Sequence, residues 1–422
     1  MEAYGKILLI AMPAFLVLVL FEKWWGWRRG FDTVRTNDMI SSLSSGITNV
    51  TKDVLGLSVI VISYPWLLGK LAIVQIQSSW LIYFIAFMAL DFAGYCVHRI
   101  AHEYNLFWNN HIIHHSSEEF NLACALRQSI SSIVKIFAVF LIPAAFLGVP
   151  ANVIAVVAPL HLFAQFWYHT RHIGKMGILE QIIVTPAHHR VHHAINPEYL
   201  DKNYSQIFIF WDKLFGTFQE ELPNVAPVYG VTRPVRTWNP IKINFTHLWL
   251  LIKDAWHTRS YLDKLRIWFM PLGWRPADVV TQYPVYKISD VYHFEKYDPQ
   301  TSRVLTAWSW FQLVALLLFI SYLFSNIATI GSPMIYVYGL FIFLSVYAIT
   351  DLLDNNPYAY LWEIIRSGMG LGILLKTNDW FGLQQIAPAS IWVLVLFFMI
   401  SIAGAYLITK ADTEKQTVLK HQ

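Results

Sequence analysis

Residues 98–193 contain four groups of histidines: His98-Arg99-Ile100-Ala101-His102, His111-Ile112-Ile113-His114-His115, a single His169, and His188-His189-Arg190-Val191-His192-His193. This stretch holds 12 of the 16 histidines in the 422-residue chain. Each group lies at or just beyond the end of a long apolar segment. On an α-helix, residues three and four apart share a face with Cβ atoms about 5–6 Å apart, so the rings of one group can converge. The spacing predicts a metal site at a membrane surface.

The number of clustered rings indicates two metal ions. Neutral imidazole is a ligand for iron, zinc, copper and nickel, and a tetrahedral zinc ion takes only about four ligands. Eight or nine rings exceed the capacity of one ion, so we expect two ions with positions left open for oxygen or water. The histidines outside these groups are interpreted as core or interfacial residues: His161, His172, His247, His257, His293 and His421.

The composition predicts a multi-pass membrane protein. Hydrophobic residues make up 56% of the chain and charged residues only 14%, and several apolar stretches are long enough to cross a bilayer. The net charge of +4 is scattered among tryptophans and tyrosines, which indicates anchoring at the membrane interface and no nucleic-acid partner. The two cysteines, Cys96 and Cys124, form no CxxC motif. They indicate neither a disulfide framework nor a thiolate metal site.

The charges around the first apolar run, residues 7–21, predict the orientation of the chain. Arg28 and Arg29 follow this run, whereas only Lys6 precedes it. The positive-inside rule therefore places the far end of the first span in the cytoplasm.

The later apolar runs then bring all the clustered histidines to the same side. The predicted spans are residues 46–68, 80–97, the two arms of a hairpin at 130–147 and 151–167, then 305–324, 334–349, 390–408 and a weaker candidate at 361–375. The hairpin is broken at Gly148-Val149-Pro150, where glycine and proline end one helix and begin the next. In this order His98 and His169 both reach the cytoplasmic face.

We therefore expect an all-α, multi-pass membrane helical bundle with a cytoplasmic, histidine-rich di-metal cap. Three regions are predicted. Residues 1–97 form the N-terminal spans, and residues 98–303 form the catalytic region, which includes the membrane hairpin (130–168) and a polar cap. Residues 304–422 form the C-terminal spans and a polar tail.

Several longer phrases resemble the fatty acid hydroxylase superfamily of membrane di-iron enzymes. They are HRIAHE (98–103), HIIHHSSEEFNLACALRQS (111–129), QFWYHT (165–170), TPAHHRVHH (185–193), DKNY (201–204) and WDKLFGTF (211–218). The histidines alone indicate only the superfamily, which includes sterol desaturases and lipid hydroxylases. The phrases ALRQS, QFWYHT and WDKLFGTF are more similar to the branch that acts on alkylglycerols, and residues 350–357 resemble the distal membrane region of that branch.

The resemblance implies an oxygenase that uses two iron ions and O₂ to hydroxylate a lipid alkyl chain taken from the bilayer. For the alkylglycerol branch it also implies attack on the carbon beside the ether oxygen, release of a fatty aldehyde, and tetrahydrobiopterin or another reductant as electron donor. Carried over residue by residue, the metal ligands of the family fall on nine positions: His98, His102, His111, His114, His115, His169, His189, His192 and His193. His188 precedes the last motif and is interpreted as a residue that supports the ligands or as a spare.

Two acidic residues are predicted to act beside the metal ligands. Asp91 lies seven residues before His98, so it shares a helical face with that ring within an apolar span. Ionisable groups in such spans are candidates for functional residues, and carboxylates commonly orient ligand imidazoles. Glu103, next to His102, is a second candidate for the same role, with a solvated interfacial carboxylate as the alternative.

Arg127, in the ALRQS phrase, is the predicted cofactor-binding residue. Its guanidinium is expected to hold the head group of a lipid or a pterin. The alternative is an ion pair with Glu118 or Glu119, which follow the second histidine group.

The residues leave other activities open. A membrane zinc protease would need HExxH, but Arg99 stands where that motif has glutamate. A zinc-dependent lipid hydrolase fits the spacing alone. A transporter would place ionisable residues deep in paired or broken spans, whereas these histidines gather at one surface. The nearest alternative is a fatty acyl or sterol hydroxylase or desaturase built on the same di-metal site.

Overall fold

The computed structural model describes residues 2–74 and 79–420, and nearly all of its regular structure is helical. Within these ranges two short strands, Val59–Ile60 and Val134–Lys135, form a parallel pair. Five helices are long and apolar enough to cross a membrane: Tyr4–Arg29, Trp80–Glu103, Arg303–Ser325, Met334–Leu353 and Ser390–Ala411. The prediction of an all-α integral membrane protein is confirmed.

The N-terminal region contains four helices: α1 (Glu2–Arg29), α2 (Thr36–Val54), α3 (Tyr64–Leu71) and α4 (Trp80–Glu103). The predicted span at residues 46–68 is wrong, because α2 ends at Val54 and is not among the apolar spans. Serines and threonines fill its buried face, and Thr48 and Thr51 donate their hydroxyls to carbonyls of the preceding turn. These small residues let α2 pack inside the bundle against its neighbours instead of facing lipid.

The central region consists of shorter helices. They are α5 (Asn105–Trp108), α6 (Ile112–His115), α7 (Ile142–Phe146), α8 (Ala151–Phe163), α9 (Pro186–His192), α10 (Phe210–Phe215), α11 (Pro240–His257), α12 (Tyr261–Arg266) and α13 (Ala277–Gln282). Single 3-10 turns lie at Cys124–Leu126, Phe137–Leu141, Gly177–Gln181 and Ile267–Phe269. Most of this region is loop, so its shape depends on side-chain hydrogen bonds to the backbone.

The predicted hairpin is present, but its arms are shorter than expected. Helices α7 and α8 are separated by the predicted break, where Gly148 has a left-handed backbone with φ of 68°. Helix α8 has 13 residues, fewer than the roughly 20 that a straight crossing needs. Both helices pack with α3 and α4 in one apolar core.

The C-terminal region forms the rest of the bundle. Its helices are α14 (Arg303–Ser325), α15 (Ile327–Ile330), α16 (Met334–Leu353), α17 (Ala359–Thr377), α18 (Leu383–Ile386) and α19 (Ser390–Lys420). Together with α1 and α2, these helices enclose the largest apolar core. The weak span predicted at 361–375 is the helix α17, which is not among the five apolar spans because it buries the ion pair Glu363–Arg366.

The clustered histidines lie at the end of the span α4 and in the loops and short helices that follow it. The last turns of α4 carry His98 and His102. Helix α1 ends beside them, because Glu22 accepts hydrogen bonds from the backbone N–H of Leu122 and the hydroxyl of Thr170, each at 2.6 Å. Two apolar spans therefore end at the same level as the histidines.

Candidate metal centre

The nine clustered histidines meet at one place in the fold, where they form two groups of ring nitrogens. The larger, the five-histidine group, contains His98, His102, His111, His115 and His192. The smaller, the four-histidine group, contains His114, His169, His189 and His193. Within each group the candidate ligand atoms all lie within 4.8 Å of one another. The structure brings together every histidine that the family resemblance assigns to metal.

Helices α6 and α9 each contribute rings to both groups. Each carries the pattern HxxHH, in which the first and last positions share one helical face and the middle histidine is turned away by about 100° from the last. In the pattern that starts at His111, the first and last rings join the five-histidine group. In the pattern that starts at His189, they join the four-histidine group. The groups are therefore adjacent, and the rings of His115 and His193 stack at 4.3 Å across the boundary.

The spacing of the nitrogens fits metal ions. The Nε2 atoms of His98 and His111 are 2.9 Å apart, and those of His169 and His189 are also 2.9 Å apart. Two nitrogens each about 2.1 Å from one ion, with an angle of about 90° at the ion, would be separated by about 3 Å. The Nε2 atom of His102 is buried and has no hydrogen-bond partner among the described residues, which is costly for a polar atom unless a cation binds it.

Backbone carbonyls outside the groups fix the orientation of two rings in the five-histidine group. His98 donates its Nδ1–H to the carbonyl of Tyr204 at 2.8 Å, and His192 donates its Nδ1–H to the carbonyl of Lys202 at 2.9 Å. A proton held on Nδ1 leaves the lone pair on Nε2 free for a metal. Both carbonyls come from the DKNY phrase, which explains why this phrase accompanies the histidines.

Asp212, in the WDKLFGTF phrase, holds the segment that supplies these carbonyls. It is fully buried, and its carboxylate accepts the backbone N–H groups of Tyr204 at 2.8 Å and Ser205 at 2.9 Å. The hydroxyl of Thr217 donates to the same carboxylate at 2.7 Å. The sequence predicts only a structural role for this phrase, from its aromatic residues and the terminal Gly216, and Asp212 has such a role through its hydrogen bonds.

Burial keeps the rings neutral. Loss of solvent, and then the proximity of other imidazoles, lowers the pKa well below its usual value for six histidines outside the membrane spans: His111, His114, His115, His189, His192 and His193. Burial also lowers the pKa of His169 to about 3. Since a metal binds only a deprotonated nitrogen, the rings are in the form that a divalent cation needs.

Asp91 has partners other than those expected. Its fully buried carboxylate accepts hydrogen bonds from Nε2 of His161 at 2.8 Å and from the backbone N–H of Ile207 and Phe208. The indole N–H of Trp211 donates to it as well, at 3.0 Å. The expectation was that Asp91 would orient a metal-ligand ring directly. Because Asp91 lies about two turns before His98, its carboxylate instead reaches residues 207–211, next to Asp212. It therefore supports the C-terminal end of the loop whose carbonyls accept from His98 and His192.

Glu103 points away from the rings. It forms an ion pair with Arg99 at 2.7 Å, and both side chains are more than a third exposed. No hydrogen bond joins it to His102 in the described part of the chain. Its position is that of a solvated interfacial carboxylate, which is the alternative stated for it in the sequence analysis.

Arg127 is buried, and each of its three guanidinium nitrogens donates a hydrogen bond within the protein. It is 1% exposed and donates to Ser42 at 2.9 Å, Ser116 at 2.7 Å and Asp38 at 2.6 Å. Its ion-pair partner is Asp38 of α2 and not Glu118 or Glu119 in the described residues, and its role in holding a cofactor stays a prediction. Arg127 ties the segment after the second histidine group to α2.

Two further residues also support the centre. Glu22, near the end of α1, joins the segments next to Phe120 and His169 through its two hydrogen bonds. His188 belongs to the capping box of α9, in which Thr185 is the N-cap and donates its backbone N–H to Nδ1 of His188 at 3.3 Å. A charged residue near the end of an apolar run is the signal that would have indicated Glu22.

Comparison with known proteins agrees with this geometry. The chain is 34% identical to human alkylglycerol monooxygenase over 368 residues, which cover 86% of this chain and 81% of the relative. It is 32% identical to alkylglycerol monooxygenase of Danio rerio over 405 residues, 95% of this chain and 88% of the relative. The Fatty acid hydroxylase family model matches residues 83–217. The chain belongs to the fatty acid hydroxylase family.

Family membership identifies the chain as a membrane lipid monooxygenase, and the histidine groups fit an iron-dependent oxygenase. A more distant relative, an ornithine lipid hydroxylase of Rhizobium tropici, is 31% identical over 146 residues, 34% of this chain and 44% of that protein. No solved structure gave a significant match. The part of the chain that the family model matches contains all nine histidines and both supporting aspartates.

Proposed function

We propose that this fatty acid hydroxylase family member is a di-iron alkylglycerol monooxygenase that cleaves ether lipids to a fatty aldehyde and a glycerol derivative. The observation that carries the proposal is the pair of adjacent histidine groups, in a chain that is similar to alkylglycerol monooxygenases over most of its length. The five-histidine group would hold one iron and the four-histidine group the other. Bound iron would supply the activation of O₂ for attack on a C–H bond.

The chain's own residues hold and shield this site. Aromatic rings border both groups: Trp108 is 5.0 Å from the ring of His102, and Tyr168 is 4.4 Å from the ring of His189. Phe120 lies 5.2 Å from His193. Such walls exclude water from the site and protect a reactive centre from side reactions.

The lipid and the reductant would approach from different sides. Because two apolar spans end at the level of the rings, the alkyl chain can stay within the bilayer while the polar head faces the cap. Tetrahydrobiopterin, or another reductant, would come from the aqueous side. Glu103, next to His102 and partly exposed beside Arg99, stays a candidate to act beside the metal ligands, while Asp91 acts through the loop that it holds.

The aqueous side would be the cytoplasm. Arg28 and Arg29 end α1, the first span, on the side where Glu22 meets the histidine segments, and positive charge favours the cytoplasmic side. A cysteine introduced at exposed Asp290 of the cap would react with an impermeant thiol reagent only from that side. Labelling of sealed, right-side-out cells without permeabilisation would contradict this orientation.

The function is tested with purified protein in lipid vesicles, supplied with an alkylglycerol, O₂ and reduced pterin. We expect fatty aldehyde to form together with O₂ consumption, and both to stop in His114→Ala. His257→Ala is the matched control, because that ring is exposed and its Nδ1–H donates only to the carbonyl of Lys253. In a parallel assay with a fatty acyl lipid or a sterol as substrate, a hydroxylated or desaturated product, with no aldehyde from the alkylglycerol, would indicate the sister activity. Lipid hydrolysis without O₂ consumption would indicate a zinc hydrolase.

A further inference from the structure

An apolar cavity of about 130 Å³ lies between α1, α2 and α14, away from the ring nitrogens themselves. Ala11 and Met12 of α1 line one side, Leu43 and Gly46 of α2 line another, and Leu317 of α14 contributes the third. Its size is similar to that of an engineered, roughly 150 Å³ apolar protein cavity that stays dry and binds benzene. The cavity is therefore large enough for part of a hydrocarbon ligand.

The cavity lies deeper in the bundle than Glu22, the residue of α1 that meets the histidine segments. On α1 its lining runs from Leu8 to Leu16, which precede Glu22 by fourteen and six residues. At 1.5 Å per residue these positions lie about 21 Å and about 9 Å from Glu22 along the helix. On α2 the lining starts at Leu43, five residues after Asp38, and continues away from the centre. Both helices thus place the cavity on the membrane side of the centre.

The lining of the cavity is apolar apart from two side chains. Asn49 and Gln128 are its polar side chains, and both are engaged: Lys52 donates to the carbonyl oxygen of Asn49 at 3.1 Å, and Gln128 donates to the carbonyl of Ala125 at 3.0 Å. The remaining lining residues are hydrophobic or glycine. This apolar lining favours a saturated or weakly polar alkyl chain as the ligand.

The end of the cavity nearer the metal centre adjoins residues that support the histidines. Leu126 lines it and precedes Arg127, whose guanidinium bonds Ser116, the residue after His115. Phe15, also in the lining, packs against Phe166 with ring centroids 4.6 Å apart, three residues before His169. A chain in this cavity would therefore lie next to the segments that support the histidines.

We infer that this cavity is the binding site for the alkyl chain of the lipid substrate. The inference rests on the proposed function, which requires a long chain to extend from the reacting carbon into the bilayer. Only the single helix α1 separates the cavity from the surroundings on one side, since Ile10 and Val17 on its opposite face are 77% and 64% exposed. The substrate chain would enter past this helix, and a permanently bound structural lipid is the competing occupant.

The first test is chain-length selectivity in a matched pair of variants. Ala11 lines the cavity, whereas Ala14, one turn later on the same helix, is exposed to the surroundings. Ala11→Phe fills the cavity, and because each methylene buried contributes a several-fold effect on binding, kcat/KM for a long-chain alkylglycerol should fall about ten-fold more than for a short-chain one. Ala14→Phe should leave that ratio unchanged. An unchanged ratio in folded Ala11→Phe would overturn the inference.

A second measurement does not depend on turnover or on the variant folding. An alkylglycerol with a diazirine in the middle of its alkyl chain is photolysed with the wild-type protein in phosphatidylcholine vesicles, and the labelled residues are mapped. Label on Met12, Leu43 or Leu317 that unlabelled alkylglycerol displaces supports the inference. Label confined to the outer face of α1, or displaced by phospholipid but not by alkylglycerol, contradicts it. If the cavity is labelled but no aldehyde forms with any substrate, the proposed function fails separately.

Discussion

The two histidine groups use the same kind of ligand but are supported from opposite parts of the molecule. In the five-histidine group, His98 and His192 donate to carbonyls of residues 202–204, a loop of the polar cap that Asp212 anchors. In the four-histidine group, His169 donates its Nδ1–H to the carbonyl of Gln165 at 3.0 Å, in the segment that Glu22 of the first membrane helix holds through Thr170. The rings of His98 and His192 are thus oriented by a cap loop, and the ring of His169 by a segment tied to α1. Metal binding by the two groups should therefore respond to different substitutions.

The most direct test of this difference between the groups is to remove two neighbouring rings, one from each group. His192→Ala removes a ligand of the five-histidine group, and His193→Ala removes one of the four-histidine group. Each variant should lose about one of two irons and at least roughly 100-fold of turnover, since both ions are needed for the reaction. Iron content and aldehyde formation measure these effects.

His188→Ala is the matched control for that pair, because the ring caps α9 and belongs to neither group. We expect it to keep both irons and to lose about 1 kcal/mol of stability, the typical net contribution of one hydrogen bond. Loss of one iron from His188→Ala, or retention of both in His192→Ala, would show that the assignment of rings to groups is wrong.

The second largest effect should come from the support on the cap side. Asp212→Asn replaces one carboxylate oxygen with an NH₂ group, which then faces a backbone N–H of Tyr204 or Ser205 that cannot reverse its role. The five-histidine group should lose about 10–100-fold in metal affinity, as is typical when a residue that orients ligands is changed. Competition with a chelator, followed by iron spectroscopy, measures it. Asp290→Asn, at an exposed site of the cap, should change the metal affinity of neither group. If Asp212→Asn weakened metal binding by both groups equally, the two groups would not have separate supports.

The smallest effect is expected on the membrane side. In Glu22→Gln the new amide oxygen can still accept from Leu122, and the new NH₂ can donate to the Thr170 hydroxyl, which can act as acceptor. We therefore expect a loss of only a few-fold in metal affinity, confined to the four-histidine group. Glu22→Leu removes both acceptors and should have the larger effect. If both substitutions left the four-histidine group unchanged, α1 would not position it.

Much of the site could be predicted from the sequence because its chemistry is local. The HxxHH spacing places rings on one side of a helix, and the phrases around it identify the family. The division of the rings between two groups could not be predicted, because it depends on how α6 and α9 face each other in the folded chain. The contacts of Asp91 and Arg127 likewise depend on distant loops and on α2.

The membrane topology was predicted less well, and for a related reason. Hydropathy detects helices that face lipid, so it found the five apolar spans, although with different ends. Helix α2 is polar because it is surrounded by protein, and its run of buried serines and threonines has no strong hydropathy signal. The predicted division into regions at residues 97 and 303 stays a prediction.

The central claim is that two adjacent groups of neutral imidazoles each hold one iron. The most direct test is the metal content per chain of the purified wild-type protein, measured by mass spectrometry together with that of His192→Ala and His193→Ala. The account predicts about two irons in the wild type and about one in each variant. A single metal ion in the wild type, or zinc in place of iron at both sites, would contradict it.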